Sequence, residues 1–392
     1  MSGVMAVETF DAVVIGAGAA GLFCAAIAGR RGRRVVVLDH APEAGRKILI
    51  SGGGRCNFTN LDVTAANFLS DNPHFCKSAL AGFSQHDFVA LVRAHGIAFH
   101  EKHLGQLFCD GSAREIVAML LAMCAAAGVE VRLGQRVSDV SKADHFTVRT
   151  EAGEVAAENL VLATGGLSIP KLGATGFAYD VAKKFGLGVT PVQAGLVPLV
   201  FADAGWMQGL SGVSFDAVAS CGKAAFREHA LFTHRGMSGP AILQISSYWR
   251  DGDGIELNML PGVDVYAWLL ERKAARPKAA LKTVLAEMLP ARLAAHLAGE
   301  GRVIGEAGNK ALQALAASIG RFALRPSGSE GFAKAEVTAG GVATSDLSSK
   351  TMEALRVKGL FVIGEAVDVT GWLGGYNFQW AWSSGYAAGR AV

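Results

Sequence analysis

The stretch from Asp11 to Asp39, DAVVIGAGAAGLFCAAIAGRRGRRVVVLD, limits what this chain can fold into more than any other. A β-branched apolar run (Val13, Val14, Ile15) ends at Gly16-x-Gly18-x-x-Gly21, an Ala-rich segment follows, and a second apolar run, Val35 to Leu38, is closed by Asp39. Strand, glycine turn, helix and strand in that order form a βαβ unit with a dinucleotide fingerprint. Gly16 suits the tight turn, Gly18 leaves the backbone open to a pyrophosphate, and Gly21 lets helix and strand pack closely. Ala19 and Ala20 open the helix, whose unpaired N–H groups and positive dipole end face the phosphates. Asp39, with His40 after it, falls where an acidic side chain accepts from a ribose hydroxyl.

The chain of 392 residues is long enough for two or three domains, and 51% hydrophobic residues suffice for real cores. A mean hydropathy of +0.31 and the uncharged run from Ala12 to Gly29 raise the question of a membrane span. The interleaved glycines of that run fit a buried strand and helix, and no basic n-region precedes it, so the expectation is a soluble, cytoplasmic protein without a membrane partner. Six scattered cysteines with no CxxC pair argue against a disulfide framework and a structural metal. A net charge of +3 speaks against a nucleic-acid partner, and Arg30, Arg31, Arg33 and Arg34 read as a solvated helix end.

Three further glycine-rich stretches bear on the same ligand. Gly45-Arg46-Lys47 and Ser51-Gly52-Gly53-Gly54-Arg55-Cys56-Asn57 form a backbone cradle for anionic oxygens. Leu160 to Gly166 is a buried strand running into Ala163-Thr164-Gly165, a second close backbone approach. Leu360 to Glu365 is a strand ending in Gly364-Glu365, and Gly371 to Asn377 leads into a helix from Phe378 to Arg390. Together these describe FAD bound lengthwise: Glu365 accepts from ribityl hydroxyls, and the helix start at Gly374, Gly375, Tyr376 and Asn377 faces the flavin's pyrimidine edge. A helix N-terminus there stabilises the negative charge of a reduced flavin.

Segment composition predicts a discontinuous α/β protein. Residues 1–190 and 335–392 form a Rossmann-type FAD-binding domain, 191–260 and 320–334 a β-rich insert, and 261–319 a small helical subdomain. The segment from Asp71 to Cys124 reads as mainly helical.

The phrases GAGAAGL, GRKILISGGGRCNFTN, LATGGLSIPKLGATGFAYDVAKKFG, LFTHRGMSGPAIL, VTAGGV and FVIGEAVDVTGWLGGYNFQWAWSSG together resemble the YhiN-like flavoproteins, also called the aminoacetone oxidase family, which include the BaiN-type bile-acid reductases. The resemblance runs from about Thr9 to the C-terminus. It implies FAD contacts at Gly16, Gly18, Gly21, Asp39, Arg46, Lys47, Gly53, Gly54, Asn57, Gly165, Glu365 and Gly375, and a backbone contact to adenine at Val137. Two places depart from the commoner family pattern: Gln106 to Asp110 reads QLFCD, and Trp372 stands in the loop before GGYN.

For catalysis the sequence offers three groups, each with a plainer reading. His234 lies in a polar, glycine-rich phrase and suits acid/base work, or else bonds its own loop or the flavin's edge. Cys56 is a thiol for the isoalloxazine or a small buried residue. Tyr376 donates to a substrate carbonyl or packs beside the ring. The leading expectation is an FAD-dependent oxidoreductase taking a hydride from a small substrate such as an amine and passing electrons to oxygen or a carrier. The alternative is reduction of a conjugated C=C bond with NAD(P)H as a transient reductant. An RNA-modifying flavoprotein and a non-catalytic flavin-binding module rank below these.

Overall fold

The computed structural model describes residues 7–392, so the first six residues of the expected 1–190 segment lie outside the described residues. The chain divides into two compact units, residues 1–193 with 337–392, and residues 194–336.

The first unit is built around β1 (Glu8–Ile15), α1 (Ala19–Arg30) and β2 (Val35–Leu38). β1 lies between β2 and the strand Gly153–Leu162, parallel to both. β2 is followed outward by Glu130–Arg132, and the C-terminal half of Gly153–Leu162 by Leu360–Val362, all parallel. The N-terminal half of Gly153–Leu162 turns antiparallel against Phe146–Thr150, which pairs in turn with Val137–Lys142. Every residue of β2 is buried, as a parallel strand covered on both faces requires.

α1 is nearly all small or apolar, and glycines set its distance from two neighbours. In the last helix, Tyr376–Ala391, a Cβ on Gly385 would stand 2.7 Å from the Ala20 oxygen and one on Gly389 2.6 Å from the Cys24 oxygen. On α1 itself, a Cβ on Gly29 would meet the Ala127 oxygen at 2.7 Å, beyond the end of the helix Ala113–Ala126. That helix starts with a Ser112–Glu115 capping box, which satisfies otherwise orphaned N–H groups. The last helix is seated by two buried tryptophans. Trp380 Nε1 donates to the Gly364 oxygen at 2.9 Å and Trp382 Nε1 to the Phe58 oxygen at 2.8 Å, while the Trp382 ring stacks on Phe88 at 4.3 Å.

The segment expected to be mainly helical from Asp71 to Cys124 is broken by two short strands, Phe99–Glu101 and Gln106–Cys109. Gln106–Cys109 also pairs with Asn57–Asn60 in a separate three-stranded sheet. Apolar residues at helical spacing conceal strands this short, because a run of three or four residues fits either period.

The second unit is a seven-stranded antiparallel sheet with strand order Phe322–Leu324, Ile255–Asn258, Ser214–Cys221, Ala224–Phe232, Gly236–Ser238, Leu199–Val200 and Gly328–Ser329. Inward residues Phe215, Ala217, Ala219 and Cys221 alternate with more exposed ones, the pattern of a sheet covered on one face. Four helices, Val265–Ala275, Leu281–Leu285, Ala291–Ala298 and Asn309–Gly320, lie in the span read as a helical subdomain. Among the described residues no helix is long and apolar enough to cross a membrane.

The glycine-spaced helix contact generates a test. Gly389→Val places a branched side chain against the Cys24 backbone oxygen and the Ile27 side chain. We expect urea unfolding to show a loss of about 1–3 kcal/mol from overpacking.

Candidate cofactor and active site

Parallel pairing puts four strand ends at one level. Ile15 stands opposite Leu38 and Leu162, and Leu162 opposite Val362. The residues that follow, Gly16, Asp39, Ala163 to Gly165 and Gly364, therefore emerge along one edge of the sheet, where open α/β sheets bind their ligands. Gly16 has φ +116°, and a Cβ there would lie 2.4 Å from the Ala163 oxygen; one on Gly21 would lie 1.9 Å from the Gly16 oxygen. At Gly18, by contrast, a Cβ would meet nothing within 4 Å. The two outer glycines close the fold and the middle one leaves the backbone open.

Asp39 ties this loop together. Its Oδ2 accepts from the Ala17 N–H at 2.7 Å and its Oδ1 from the Ala41 N–H at 2.8 Å. Carboxylate oxygens carry further lone pairs, so these bonds orient the group and leave room for a ribose hydroxyl. His40 Nδ1 stands 3.7 Å from Asp39 Oδ1. The backbone before Val137 runs alongside, with the Gln135 N–H donating to the Asp39 oxygen at 2.8 Å and the Gly134 N–H to the Ala41 oxygen at 2.9 Å.

The second glycine stretch is a run of left-handed residues: Gly52 (φ +56°), Gly53 (+67°), Gly54 (+85°) and Cys56 (+50°). The Gly53 backbone faces open space, whereas a Cβ on Gly52 would press on the Phe108 ring at 2.8 Å. Ser51 turns inward, its Oγ donating to the Ile48 oxygen at 2.7 Å, and Arg55 is exposed. Cys56 is fully buried, and burial pushes its thiol well above the ordinary range. That makes it a poor nucleophile, which matches a packing role for a small side chain.

A polar cluster joins the remaining stretches. Lys47 Nζ pairs with Glu365 Oε2 at 2.5 Å and donates to Ser168 Oγ at 2.6 Å; Ser168 Oγ donates to Glu365 Oε1 at 2.8 Å, and the Thr338 N–H donates to the same oxygen at 2.8 Å. Arg46 Nη1 donates to the Leu172 oxygen at 2.9 Å, fastening the same 165–176 loop. Burial alone raises the Glu365 carboxyl, but the charge and hydrogen bond of Lys47, with those of Ser168 and Thr338, overcome it and hold the group below its ordinary value. Neither Ser168 nor Thr338 is expected from the sequence as a site residue, although both lie in glycine-rich stretches, LATGGLSIPK and VTAGGV.

At the last helix, Gly374 has φ +115° and Gly375 φ +95°, and a Cβ on Gly375 would stand 2.4 Å from the Thr59 backbone. Asn60 Nδ2 donates to the Gly374 oxygen at 3.0 Å, so the SGGGRCNFTN and GGYN phrases meet directly. The Asn377 carboxamide is turned back on its own loop, accepting from the Gly371 N–H at 2.8 Å and donating to the Gly371 oxygen at 2.8 Å. Its contribution to a flavin site is thus to hold the turn. Tyr376 is buried with its ring edge-on to Phe68 and Trp372. His234 belongs to the second unit, exposed in the turn between Ala224–Phe232 and Gly236–Ser238.

This residue set fits FAD. Gly18, Gly53 and Gly165 each present backbone with nothing within 4 Å of where a Cβ would be, and Thr164 Oγ1 is buried without a hydrogen-bond partner among the described residues. Open backbone suits phosphates and ring edges, and a buried orphan hydroxyl marks a position where a ligand supplies the missing bond.

Two measurements test the cluster and the thiols. The Glu365 carboxyl, lowered in the fold, adds stability that is fully present above its ordinary value of 4.5 and is lost as pH falls through the lowered value. Glu365→Gln should therefore flatten acid unfolding. Lys47→Met, which strands the carboxylate, should cost about 2 kcal/mol by denaturant titration, less than for a fully buried pair because the lysine is partly exposed. All six cysteines are buried, with Cys24, Cys109 and Cys124 pushed up to about 12. We expect Ellman's reagent to react with the native protein far more slowly than with the unfolded chain.

Comparison with known proteins accords with this geometry. The chain is 52% identical over 391 residues to the ribosomal RNA dihydrouridine synthase of Escherichia coli K12, covering 98% of each chain. It is 30% identical to the 3-dehydro-bile acid delta(4,6)-reductase of Clostridium scindens, covering 97% of this chain and 98% of that one. A 3-ketosteroid-delta4-(5alpha)-dehydrogenase from Rhodococcus jostii RHA1 shares the fold, with a TM-score of 0.50 at 16% identity over 99% of this chain and 98% of that chain. These relatives make the chain an oxidoreductase of the flavoprotein kind. The family model described as HI0933-like protein Rossmann domain matches residues 10–391, and the chain belongs to that FAD-binding family.

Proposed function

We propose that this enzyme is a flavin-dependent ribosomal RNA dihydrouridine synthase, reducing the C5=C6 bond of a uridine with NAD(P)H as the electron source. The observation that carries the reading is 52% identity over 98% of both chains to a protein of that name. The bile-acid relative, named as a delta(4,6)-reductase of a 3-dehydro substrate, gives the same reading a chemical footing. In uracil, as in an unsaturated ketone, the C=C bond is conjugated with a carbonyl. Hydride addition at C6 pushes charge onto O4, and a proton delivered to C5 completes the product. Two electrons leave NAD(P)H, which ends as NAD(P)+. This ranks ahead of the amine oxidation expected from the sequence.

Bound FAD supplies a hydride at its N5. The chain supplies the rest. Gly18, Gly53 and Gly165 offer open backbone to the cofactor. Lys47 and Ser168 hold Glu365 in place, and the helix N-terminus at the Gly375 turn would favour a reduced, negatively charged flavin through its dipole. Of the three catalytic candidates, Cys56 has its thiol pushed up by complete burial, His234 is exposed in a turn of the second unit, and Tyr376, itself buried, stands at the start of the last helix beside Gly375. We assign proton delivery to Tyr376. The net charge of +3, read from the sequence as speaking against nucleic acid, does not weigh heavily here, because an enzyme acting on one unpaired base needs a local receptor.

The test is direct. FAD-loaded protein is incubated anaerobically with NADPH and in vitro transcribed ribosomal RNA, which is then digested and analysed by mass spectrometry. We expect one uridine to gain two hydrogens, and Tyr376→Phe to slow that gain about 100-fold or more while retaining FAD. Unchanged RNA, together with reduction of a steroid enone, would move the assignment to a small-molecule reductase.

A further inference from the structure

We propose that the helical span of the second unit, around Lys273, Lys278, Lys282 and Lys310, is the surface that holds the phosphate backbone of the RNA substrate. The inference rests on the reading of that substrate as ribosomal RNA.

The charge of the chain is unevenly spread. Residues 261–319 hold eight Lys/Arg and five Asp/Glu, a balance of +3, which equals the formal net charge of all 392 residues; the rest of the chain is therefore neutral in sum. A small net charge thus conceals one basic region. Two of its acids are already engaged, Glu287 by both Arg272 and Arg276, and Glu271 by Arg272. Those arginines stand at the end of the helix Val265–Ala275, where cations complement the dipole, so they serve the fold. The lysines are placed differently.

Backbone bonds gather them. The Leu281 N–H donates to the Arg302 oxygen at 2.8 Å, the Ile304 N–H to the Ala279 oxygen at 3.0 Å and the Gly305 N–H to the Pro277 oxygen at 2.9 Å, so 277–281 runs antiparallel to 302–305. A Cβ on Gly305 would stand 2.4 Å from that Pro277 oxygen, which makes this close pairing depend on glycine. Lys273 Nζ ties in the next stretch, donating to the Ala307 oxygen at 2.6 Å and to Asn309 Oδ1 at 3.2 Å. Lys278 and Lys282 therefore belong to one side of a ribbon whose other side leads from Arg302 to Lys310, and all four are exposed. Glu306, also exposed, is the acid on that second side.

Two of the lysines occupy positions that folding disfavours. Lys282 and Lys310 are each the second residue of a helix, Leu281–Leu285 and Asn309–Gly320, and neither first turn holds an acid. A helix N-terminus is the positive end of the dipole, where Asp or Glu is stabilising and a cation is not. Two helices of the first unit follow that preference, with Asp87 and Glu115 in their capping boxes. Lys273 brings a further positive charge to the start of Asn309–Gly320, where Gly308 supplies no side-chain acceptor. Charges set against the preference of the fold serve something outside it, and together they complement a polyanion. Lysine is a compact charge on a flexible stem, suited to holding phosphates without reading bases.

The experiment titrates a fluorescent single-stranded oligoribonucleotide against three FAD-loaded proteins over a range of salt. They are the wild type, the second-unit triple Lys278→Gln/Lys282→Gln/Lys310→Gln, and a first-unit triple of equal charge change, Arg30→Gln/Lys183→Gln/Lys358→Gln; all six positions are exposed. Each phosphate contact adds about 0.7 to the slope of log affinity against log salt, so the second-unit triple should lower that slope by about 2 and weaken binding about 100-fold at about 0.1 M salt. The first-unit triple should bind nearly as the wild type does. We also expect the second-unit triple to raise KM for ribosomal RNA while NADPH bleaches its flavin at the wild-type rate, and its urea midpoint to hold or rise. Unchanged binding by the second-unit triple, or equal loss in both triples, would overturn the surface, and so would a lowered urea midpoint, the mark of a structural role. If the wild type forms dihydrouridine and the second-unit triple does so with unchanged KM, the surface falls and the proposed function stands. If the wild type forms none, the proposed function falls and takes the surface with it.

Discussion

The structure depends on the parallel register of β1. With Ile15 level with Leu38 on one side and Leu162 on the other, and Val362 level with Leu162, four strands end together and their glycine turns share one edge. A slip of one residue would turn every buried side chain of these strands to the opposite face and offset the turns by about 3 Å. The close approach of Gly16 to the Ala163 backbone belongs to this register. So does the bond from the Ala163 N–H to the Ile15 oxygen.

The two ends of the chain are held together by packing without side chains. Gly385 and Gly389 let the last helix lie against the backbone of α1, and that contact brings the GGYN turn to the sheet edge that Gly16 to Gly21 begins. Trp380 reinforces the arrangement by donating to the oxygen of Gly364, two residues past the last parallel strand. Glu365, next in the chain, then meets Lys47 and Ser168 from two other crossovers. A partly buried ion pair of this kind contributes less to net stability than to specifying which segments meet, since desolvation offsets much of its attraction.

The chemistry follows from what these contacts leave open. Gly18, Gly53 and Gly165 face space, while Gly16, Gly21, Gly52 and Gly166 are used up in close approaches. One residue type thus performs two tasks, and which glycine does which depends on its neighbours across the sheet edge. The clamped turn before the last helix extends the same economy: the carboxamides of Asn60 and Asn377 satisfy its backbone.

Much of this was legible in the sequence. The βαβ unit, the glycine phrases and the need to build one unit from both chain ends were readable, because strand period, glycine turns and helix composition are local properties. The inward turn of Asn377 and the joining of Ser168 and Thr338 to Glu365 were not. Each depends on a partner distant in sequence, such as Thr338 from the other arm of the unit, and side-chain direction is set by that partner rather than by residue type. The short strands Phe99–Glu101 and Gln106–Cys109 escaped for a related reason, since pairing with Asn57–Asn60 creates them. By itself the sequence determined the cofactor-binding class of this protein, because the fingerprint needs only local geometry. Only the tertiary structure decided which of its polar side chains serve the backbone and which remain for a ligand, because hydrogen-bond satisfaction is settled between distant segments once they pack.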